Sequence, residues 1–595
     1  MKAKVAFLVT SCFMVILLLA SCGQPKASTT PTTKPSTTPT TTPLTTQTTT
    51  VTIKPTTPVA TGPKYGGTLV YRTSADIVNL DPYLGSFSSG TGARLWYETM
   101  VIPDLTVDPK VFDYTGTFHP MEYNIGCLVE SWEIPDPQTW ILHVRKGVKW
   151  HDIPPLNGRE FTASDIEYYF HRKLGLGSGF TKASVYNVGL NNYVSIASIT
   201  ATDKYTVVFK LKQAETETMR FAFESLYDAI NAREVVEKYG NTNDWHNQIG
   251  TGPFILKDYV SGSSVTTVRN PNYWGFDKLY PQNRLPYLDE IKVLIIPDNA
   301  TAYAALRTGK IDILISVDWE QSAILSKSNP DLLKQGWPTN GWSILMHVDT
   351  KPFDDIRVRK AMQMSLDLPT IAKTFYGGTI EPTIYGAYSM PGYYTPFEQW
   401  PQDVKDGFTY NPAGAKKLLA DAGYPSGFKF TLHISAIYDL DFYQILKSYL
   451  ADIGITMEMV VMDNVSFSSF TTGDKHVTMG YPLTTNISYP PMVWINQYTS
   501  MHFPYRGHIK DATYDKMWNE VKVMVDMEQQ KKQIIKMNDY ATAQFWRVTT
   551  PPYNDLVMWH PWLKGYNGTR TSGGVMSSPA RIMWLDQALK KSMGH

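Results

Sequence analysis

The chain has 595 residues, with 55 basic and 54 acidic side chains and a formal net charge of +1. This length exceeds what one hydrophobic core usually supports, so two or more lobes are expected. The balanced charge gives no electrostatic basis for binding nucleic acid or another polyanion. The 16 Trp and 36 Tyr combine apolar area with a polar tip, which suits both cores and the walls of binding clefts.

The N-terminus has the pattern of a bacterial lipoprotein signal. Lys2 and Lys4 precede an apolar run over residues 5–19, which has the length of a signal peptide rather than of a membrane span. The run ends in Leu19-Ala20-Ser21-Cys22, which looks like a lipobox, so we expect lipidation of the Cys22 thiol. An ordinary cleavage site beside an incidental cysteine is the alternative. Cys127 would then be the only unlipidated cysteine of the mature chain, which excludes an intramolecular disulfide.

A long segment of almost only Thr, Pro, Ser and Lys follows the signal, up to about Pro63. Such a composition buries too little apolar surface to offset the loss of chain entropy. We therefore expect residues 23–63 to be a disordered tether.

The first folded segment is predicted to contain a strand over residues 65–72, followed by turn residues 79–83. In the next loop, the hydroxyls of Ser86 and Ser88 could face a ligand, or the loop could simply be flexible. Further on, Ser164 and Glu167 fit a capping box at the start of a helix. The block over residues 113–245 is interpreted as a satellite domain.

A hairpin is predicted at the centre of the chain. Gly250-Thr251-Gly252-Pro253 precedes a strand from Phe254 to Tyr259, and a second strand runs from Val265 to Arg269. Asn270-Pro271 ends the pairing because proline lacks the N–H that a ladder needs. The stretches GTGPF and RNPNYW resemble the central motif of the family-five extracellular solute-binding proteins, the peptide- and nickel-binding receptors of ABC importers.

Other stretches resemble the same family in the expected order, and together they cover about residues 66–586. They are RKGVKWH at residues 145–151, ALRTGKIDI at 305–313 and KPFDDIRVRKA at 351–361.

The remaining elements follow from local signals. Asp298 is expected to cap a helix that ends at Gly309, and a strand then leads to a loop that contains Trp319. Asn411 and Pro412 predict the start of another helix. Residues 514–545 are interpreted as one helix with Val525 facing inward.

The resemblance implies an α/β fold, namely a two-lobed periplasmic-binding-protein type II fold with an extra domain on the first lobe. The expected division of the chain is signal peptide 1–22, tether 23–63, lobe 1 at 64–112, satellite domain 113–245, lobe 1 again at 246–341, lobe 2 at 342–553, and lobe 1 at 554–595.

The function implied by the resemblance is an extracytoplasmic receptor that captures a peptide or other small solute as its two lobes close. It would deliver the solute to an ABC transporter permease, as a monomer anchored through Cys22 at the outer face of the cytoplasmic membrane, or in the periplasm. A secreted hydrolase or a cell-surface adhesion protein with the same fold remains the alternative.

Catalytic and cofactor motifs are not found in the sequence. It contains no GxSxG elbow, no Walker loop, no HExxH and no paired metal-binding cysteines, so we predict neither an enzyme, nor a cofactor, nor a metal site. The histidines, such as His143 and His151, are expected in the core or at the surface.

The ligand-binding residues are predicted from their positions in the family pattern. They are Ser86, Ser88, Trp319, Trp342, Tyr481, Thr484 and Tyr553. Trp319 and Trp342 could instead belong to the core. In peptide-binding members, a Gly-Trp-x-x-Asp-Tyr stretch supplies an aspartate for the α-amino group. Here Gly480-Tyr481 corresponds to its start, and Thr484 or Ser488 is nearest to the place of the acid. A hydroxyl cannot pair with an ammonium as a carboxylate does, so the sequence favours a neutral, sugar-like or aromatic solute.

Overall fold

The structure is a computed structural model, and it describes part of the chain. The described ranges are 62–77, 80–81, 93–116, 119–184, 193–215, 218–219, 222–223, 228–338, 341–380, 390, 392–482, 491–500, 507–570 and 578–595. The predictions for Cys22, Ser86, Ser88 and Thr484 lie outside these residues.

Twenty strands lie in the described ranges. In chain order they are β1 (Thr68–Thr73), β2 (Val101–Pro103), β3 (Asn124–Gly126), β4 (Val129–Asp136), β5 (Thr139–Val144), β6 (Ile196–Asp203), β7 (Thr206–Leu211), β8 (Phe254–Val260), β9 (Ser264–Arg269), β10 (Glu290–Ile295), β11 (Ile313–Val317), β12 (Leu333–Pro338), β13 (Trp342–Met346), β14 (Lys429–Ser435), β15 (Thr456–Met462), β16 (Thr478–Pro482), β17 (Arg547–Thr549), β18 (Asn554–Trp559), β19 (Leu563–Lys564) and β20 (Trp584–Leu585).

The α-helices of the described residues are Ala163–Leu174, Arg233–Tyr239, Asn299–Arg307, Trp319–Ser328, Ile356–Met364, Leu368–Thr374, Gln402–Phe408, Pro412–Asp421, Leu440–Asp452, Asn464–Thr472, Pro491–Asn496, Ala512–Val521, Met527–Ala543 and Gln587–Ser592. Short 3₁₀ turns occur at Ala93–Leu95, Met121–Tyr123, Trp245–Asn247, Phe397–Gln399 and Pro579–Arg581. In the ranges given above, no helix is both long and apolar enough to cross a membrane.

A seven-stranded sheet forms the core of the first lobe, in the order β12-β18-β11-β1-β10-β9-β8. Strand β1 pairs in parallel with β10 and β11, and the outer strands run antiparallel to their neighbours. Leu69 of β1 lies opposite Ile291 of β10, and both side chains are fully buried. On one face of this sheet, Leu306 of the helix Asn299–Arg307 and Leu325 of the helix Trp319–Ser328 pack with Leu314 of β11 and Met558 of β18.

A five-stranded sheet forms the second lobe, in the order β15-β14-β16-β13-β17. Its strands all come from one stretch of sequence, residues 342–549. Strand β13 lies between the antiparallel strands β16 and β17, and its residues Ile344 and Met346 are fully buried.

A four-stranded antiparallel sheet, β4-β5-β7-β6, carries its own core under the helix Ala163–Leu174. The predicted capping box at this helix is wrong by two residues. Thr162 is the N-cap, and the carboxylate of Asp165 accepts the backbone N–H of Thr162 at 2.9 Å. Asp165 also pairs with Arg159 at 2.6 Å, which holds its carboxylate in place for this role. Two small ribbons, β2-β3 and β19-β20, complete the sheets.

The helix predicted over residues 514–545 is broken in the structure. One helix ends at Val521 and the next begins at Met527, with the side chain of Asp526 accepting the N–H groups of Glu528 and Gln529. The N-cap chemistry of Asp526 competes with helix continuation there. Val525, which was expected to face inward, is 50% exposed.

The GTGPF stretch packs against a neighbouring backbone. A Cβ on Gly250 would lie 1.7 Å from the carbonyl oxygen of Trp96, and one on Gly252 would lie 2.6 Å from that of Leu95. The buried ring of His151 contacts the same stretch, since its Nε2 lies 3.1 Å from the Gly252 oxygen. Only glycine allows this approach.

The RNPNYW stretch closes a buried polar cluster. The Tyr273 hydroxyl and the Trp274 indole donate to the Glu98 carboxylate at 2.8 and 3.0 Å. Arg581, near the C-terminus, lies 3.5 Å from the same carboxylate. Burial raises the pKa of the adjacent Cys127 thiol to about 12, so this cysteine is an inert core group.

Two chain segments connect the lobe 1 and lobe 2 sheets: β12 to β13, and β17 to β18. They lie side by side, because the Trp342 N–H donates to the Thr550 hydroxyl at 2.9 Å and the Thr550 N–H donates to the Trp342 oxygen at 3.2 Å. We call these segments the crossovers. Paired extended crossovers allow two lobes to rotate about a shared axis.

Candidate ligand-binding site

Six aromatic side chains gather where the crossovers enter lobe 2. We call Trp342, Tyr376, Tyr438, Tyr443, Tyr481 and Tyr553 the aromatic cluster. The rings of Trp342 and Tyr553 are nearly parallel, with an interplanar angle of 16° and centroids 6.0 Å apart. Tyr376 is nearly parallel to Tyr553 at 6.2 Å. Such a group presents ring faces and edges to anything that enters.

The fold explains why these residues meet although they are far apart in sequence. Trp342 begins β13, and Tyr481 lies on the antiparallel partner β16, paired with Ser343. Tyr553 is the last residue of the second crossover before β18. Tyr376 follows the helix Leu368–Thr374, and Tyr438 precedes the helix Leu440–Asp452.

Hydrogen bonding and burial separate the aromatic cluster into side chains that are held in the core and side chains that are more accessible. The buried Tyr443 hydroxyl donates to the Ser343 oxygen at 2.9 Å, which holds the ring under β13. Burial raises the pKa of both Tyr443 and Tyr376 well above the usual value for a phenol. Four members of the cluster are only half-buried, namely Trp342, Tyr438, Tyr481 and Tyr553. They are therefore the members that a ligand could contact most readily.

One carboxylate lies beside the aromatic cluster. Asp439 caps the helix Leu440–Asp452 by accepting the Phe442 N–H at 3.0 Å. Burial raises its pKa, and its charge in turn raises the pKa of Tyr376 and Tyr443. This acid supplies a hydrogen-bond acceptor next to the rings.

A pair of ionisable groups, Asp555 and Arg570, lies on the lobe 1 side. Asp555 accepts the Ser316 hydroxyl at 3.3 Å, and its pKa is raised by burial against the opposing effect of Arg570. The Arg570 guanidinium lies over the Trp337 ring at 5.3 Å, and burial lowers its pKa. Tyr553 interacts electrostatically with Arg570, so this pair borders the aromatic cluster.

Trp319 lies next to the aromatic cluster rather than in it. It is the first residue of the helix Trp319–Ser328, not part of a loop, and Asp318 caps that helix by accepting the Gln321 N–H. Its indole N–H donates to the Phe375 oxygen of lobe 2 at 2.8 Å. A Cβ on Gly377 would lie 2.5 Å from its ring. Trp319 thus forms a contact between the lobes.

The structure brings three of the predicted binding residues together: Trp342, Tyr481 and Tyr553. The sequence did not predict four residues of this region, because no local motif marks them. They are Tyr376, Tyr438, Tyr443 and Asp439. The pair Tyr438-Asp439 before an apolar helix was the one available signal, since an N-cap aspartate fixes the position of its neighbour.

A profile of a known protein family matches the middle of the chain. Residues 125–501 match the family described as "Bacterial extracellular solute-binding proteins, family 5 Middle". Heme-binding protein A of Haemophilus influenzae is 28% identical over 331 residues, which cover 52% of this chain and 56% of that protein. Glutathione-binding protein GsiB of Shigella boydii is 29% identical over 344 residues, covering 57% of this chain and 61% of that protein. The match thus spans less than two thirds of the length of either relative.

Solved structures agree on the fold. The periplasmic binding protein DppA from Helicobacter pylori, in complex with the peptide STSA, superimposes with a TM-score of 0.68 at 22% identity. The match covers 88% of this chain and 99% of that one. The predicted two-lobed periplasmic-binding-protein fold is therefore confirmed. Because the family profile covers more than half of the sequence, the chain belongs to family 5 of the bacterial extracellular solute-binding proteins.

Proposed function

We propose that this protein is an extracytoplasmic receptor that captures a small solute between its two lobes and delivers it to an ABC transporter permease. Family membership supports this class of function. The observation that carries the proposal is the aromatic cluster, because Trp342 and Tyr553 lie on the two crossovers and Tyr481 lies within lobe 2. A ligand bound to these rings would contact the segments about which the lobes turn.

The proposed ligand is a small solute with a planar or apolar part and a polar end. The rings of Trp342 and Tyr553 would contact the apolar part, and Asp439 or the Asp555–Arg570 pair would orient the polar end. The relatives are named for heme and for glutathione, and the DppA structure holds a peptide. Ser86, Ser88 and Thr484 remain part of the proposed site through their positions in the family pattern.

The proposed domain division places the first lobe at 64–112, 246–341 and 554–595, the satellite domain at 113–245 and the second lobe at 342–553. The sheet membership supports it, since β13 to β17 fall within 342–553 and β18 returns to the first sheet. Closure would bring Trp319 of lobe 1 against Phe375 of lobe 2, the contact that the structure contains.

The aromatic cluster is tested by ligand affinity. The untagged protein is titrated by calorimetry with hemin, glutathione and the peptide Ser-Thr-Ser-Ala, and with any ligand that native mass spectrometry finds bound after purification. Trp342→Ala and Tyr553→Ala should each weaken binding of the accepted ligand by about thirtyfold, roughly 2 kcal/mol, as expected for a buried aromatic anchor. The released ligand should be chemically intact, whereas conversion would indicate a hydrolase.

Tyr239→Ala is the matched control, because Tyr239 is 39% exposed at the end of a helix in the satellite domain. It should bind the ligand as the wild type does. Unchanged affinity in both cluster variants, with normal folding, would contradict the proposed site.

We also propose that the Cys22 thiol carries a lipid anchor, as the sequence Leu19-Ala20-Ser21-Cys22 suggests. Lipidation needs that thiol, so Cys22→Ala should move the protein from the membrane to the soluble fraction after a high-salt wash. Cell fractionation with immunoblotting measures this, and Ser21→Ala is the control that keeps the thiol. A Cys22→Ala protein that stays in the membrane would show that another contact holds it.

A further inference from the structure

Three side chains that can bind a metal ion meet at the end of β13 opposite to Trp342. Donor atoms of His347, Asp474 and His508 all lie within 4.8 Å of one another. The Asp474 carboxylate lies 3.6 Å from His347 Nε2 and 2.9 Å from His508 Nε2. We call these three residues the histidine cluster.

Three separate segments build the histidine cluster. His347 follows β13, Asp474 lies just before β16, and His508 lies before the helix Ala512–Val521. Backbone bonds hold the segments together: the His347 N–H donates to the Val477 oxygen, and the Val348 N–H donates to the Gly507 oxygen, each at 2.9 Å. The sequence shows no metal-binding spacing because the ligands come from these distant segments.

His347 is the member that points to a ligand. The residue is only 3% exposed, and its Nε2 has no hydrogen-bond partner in the described part of the chain. The nearest carboxylate oxygen, at 3.6 Å, is beyond hydrogen-bonding distance. A buried imidazole nitrogen without a partner is costly, and a bound cation would satisfy it.

Neighbouring residues orient the ring of His508, as the residues around metal ligands usually do. The Asp349 carboxylate lies 3.0 Å from His508 Nδ1 and accepts the Lys510 ammonium at 2.9 Å. A carboxylate on one ring nitrogen fixes the tautomer and directs the other nitrogen at the metal. His476 packs edge-on against His347, with ring centroids 4.6 Å apart, and holds that ring in place.

We propose that His347, His508 and Asp474 form a binding site for a divalent transition-metal ion such as Zn²⁺, with water completing the coordination. Two imidazoles and one carboxylate suit zinc, cobalt, nickel and copper, whereas Mg²⁺ and Ca²⁺ prefer oxygen ligands. Asp474, which is 41% exposed, gives the ion access from solvent. The ion would bind the segments around His347, Asp474 and His508 together at the edge of lobe 2.

One ring of the histidine cluster must change its orientation when an ion binds. His347 and His508 stack with centroids 3.6 Å apart at 15°, so one ring must turn for both lone pairs to converge. His508 is 24% exposed and has room to turn, while His347 is fixed.

A simple ion pair is the competing explanation. A protonated His508 between Asp349 and Asp474 would account for the short distances without any metal. The two explanations differ in what Asp474→Asn and His508→Gln do to metal affinity.

The experiment uses untagged, full-length protein treated with a chelator and then dialysed at pH 7. Zn²⁺ is titrated by calorimetry, and Co²⁺ is titrated while its visible d–d bands are recorded. We expect one Zn²⁺ per chain at this site, a higher melting temperature with Zn²⁺, and Co²⁺ bands that Zn²⁺ abolishes. Asp474→Asn and His508→Gln should each weaken Zn²⁺ binding by about tenfold or more, because loss of even an outer-shell partner of a ligand lowers metal affinity by about 10- to 100-fold.

His143→Gln is the matched control, because His143 pairs with Glu133 at 2.8 Å on the surface of the satellite domain and belongs to no group of three ligand residues in the described ranges. This variant should bind Zn²⁺ as the wild type does. The proposal is overturned if the wild type shows no saturable binding, or if Asp474→Asn and His508→Gln bind as tightly as the control. Since both variants change partly exposed side chains, the test does not depend on the buried His347 tolerating substitution.

Discussion

Gly250 shows how one residue of the GTGPF stretch is determined by its surroundings. A Cβ there would overlap the Trp96 carbonyl oxygen at 1.7 Å, and that oxygen also accepts the Gly252 N–H at 3.0 Å. The backbone cannot move away without breaking this bond. The requirement for glycine is therefore steric rather than conformational.

Gly250→Ala should destabilise the protein by at least about 3 kcal/mol, the upper end for overpacking a rigid site. Gly147→Ala is the control, since Gly147 has a φ of 77° and nothing within 4 Å of a Cβ, so only backbone strain of about 1 kcal/mol is added. Differential scanning calorimetry of both variants compares the two costs. Equal melting temperatures would contradict the steric explanation.

Predictions from single residues succeed most often where the interaction is between residues close in sequence. The caps Asp298 and Asn411 are confirmed, because each side chain accepts a backbone N–H in the first turn of its helix. The capping box predicted at Ser164 is wrong because Thr162 and Asp165 offer the same chemistry two residues earlier, and Arg159 favours that choice. The Glu98–Arg581 contact could not be predicted, since its partners lie almost the whole chain apart.

At the scale of elements, the Trp319–Ser328 helix carries the contact between the lobes. The Trp319 indole donates to Phe375 across the lobe boundary. Loss of one such bond costs about 0.5–1.5 kcal/mol. That free energy favours the arrangement in which the two lobes touch.

Trp319→Phe should therefore shift the protein toward an open form. We expect a larger radius of gyration in small-angle scattering without ligand, and up to about tenfold weaker binding of the ligand found by calorimetry. Trp562→Phe is the control, because its indole donates to the Asp312 carboxylate at 2.7 Å within lobe 1. That variant should lose stability and keep its affinity. If both variants change affinity equally, the Trp319 contact has no special role in closure.

The elements were predicted more reliably than their assembly. Most strands and helices follow from apolar periodicity and caps, which act over a few residues. The aromatic cluster depends on β13 pairing with β16 and on the second crossover, so it required the topology. The sequence did not predict the histidine cluster either, because the spacing of residues along the chain does not show which distant segments come into contact.

At the scale of the whole molecule, buried histidines predict how stability depends on pH. Burial lowers the pKa of His119, His151 and His560 to about 4, from an ordinary value of 6.5. Between these values the unfolded chain binds protons that the folded protein does not, so stability falls as the pH drops from 6.5 toward 4. Each histidine should lower the free energy of unfolding by about 2 kcal/mol at pH 5.

His560→Gln tests this dependence. Glutamine can still donate to the Leu306 oxygen, which His560 Nε2 contacts at 2.7 Å, but it does not titrate. The melting temperature of the variant should fall less than that of the wild type between pH 7 and pH 5. His143→Gln, at the surface, should follow the wild-type curve. Parallel curves for wild type and His560→Gln would show that this histidine does not contribute.

The position of β18 has a consequence for the order in which the chain can fold. This strand lies between β11 and β12 in the first sheet, yet residues 554–559 are synthesised only after all five strands of the lobe 2 sheet. The last helix adds to this, since Lys590 pairs with the buried Asp312 at 2.7 Å. Lobe 2 is continuous in sequence and can form its sheet once residue 549 is available. Lobe 1 begins first and its sheet is completed after that of lobe 2, so an emerging chain exposes an unfinished first sheet while lobe 2 is being synthesised.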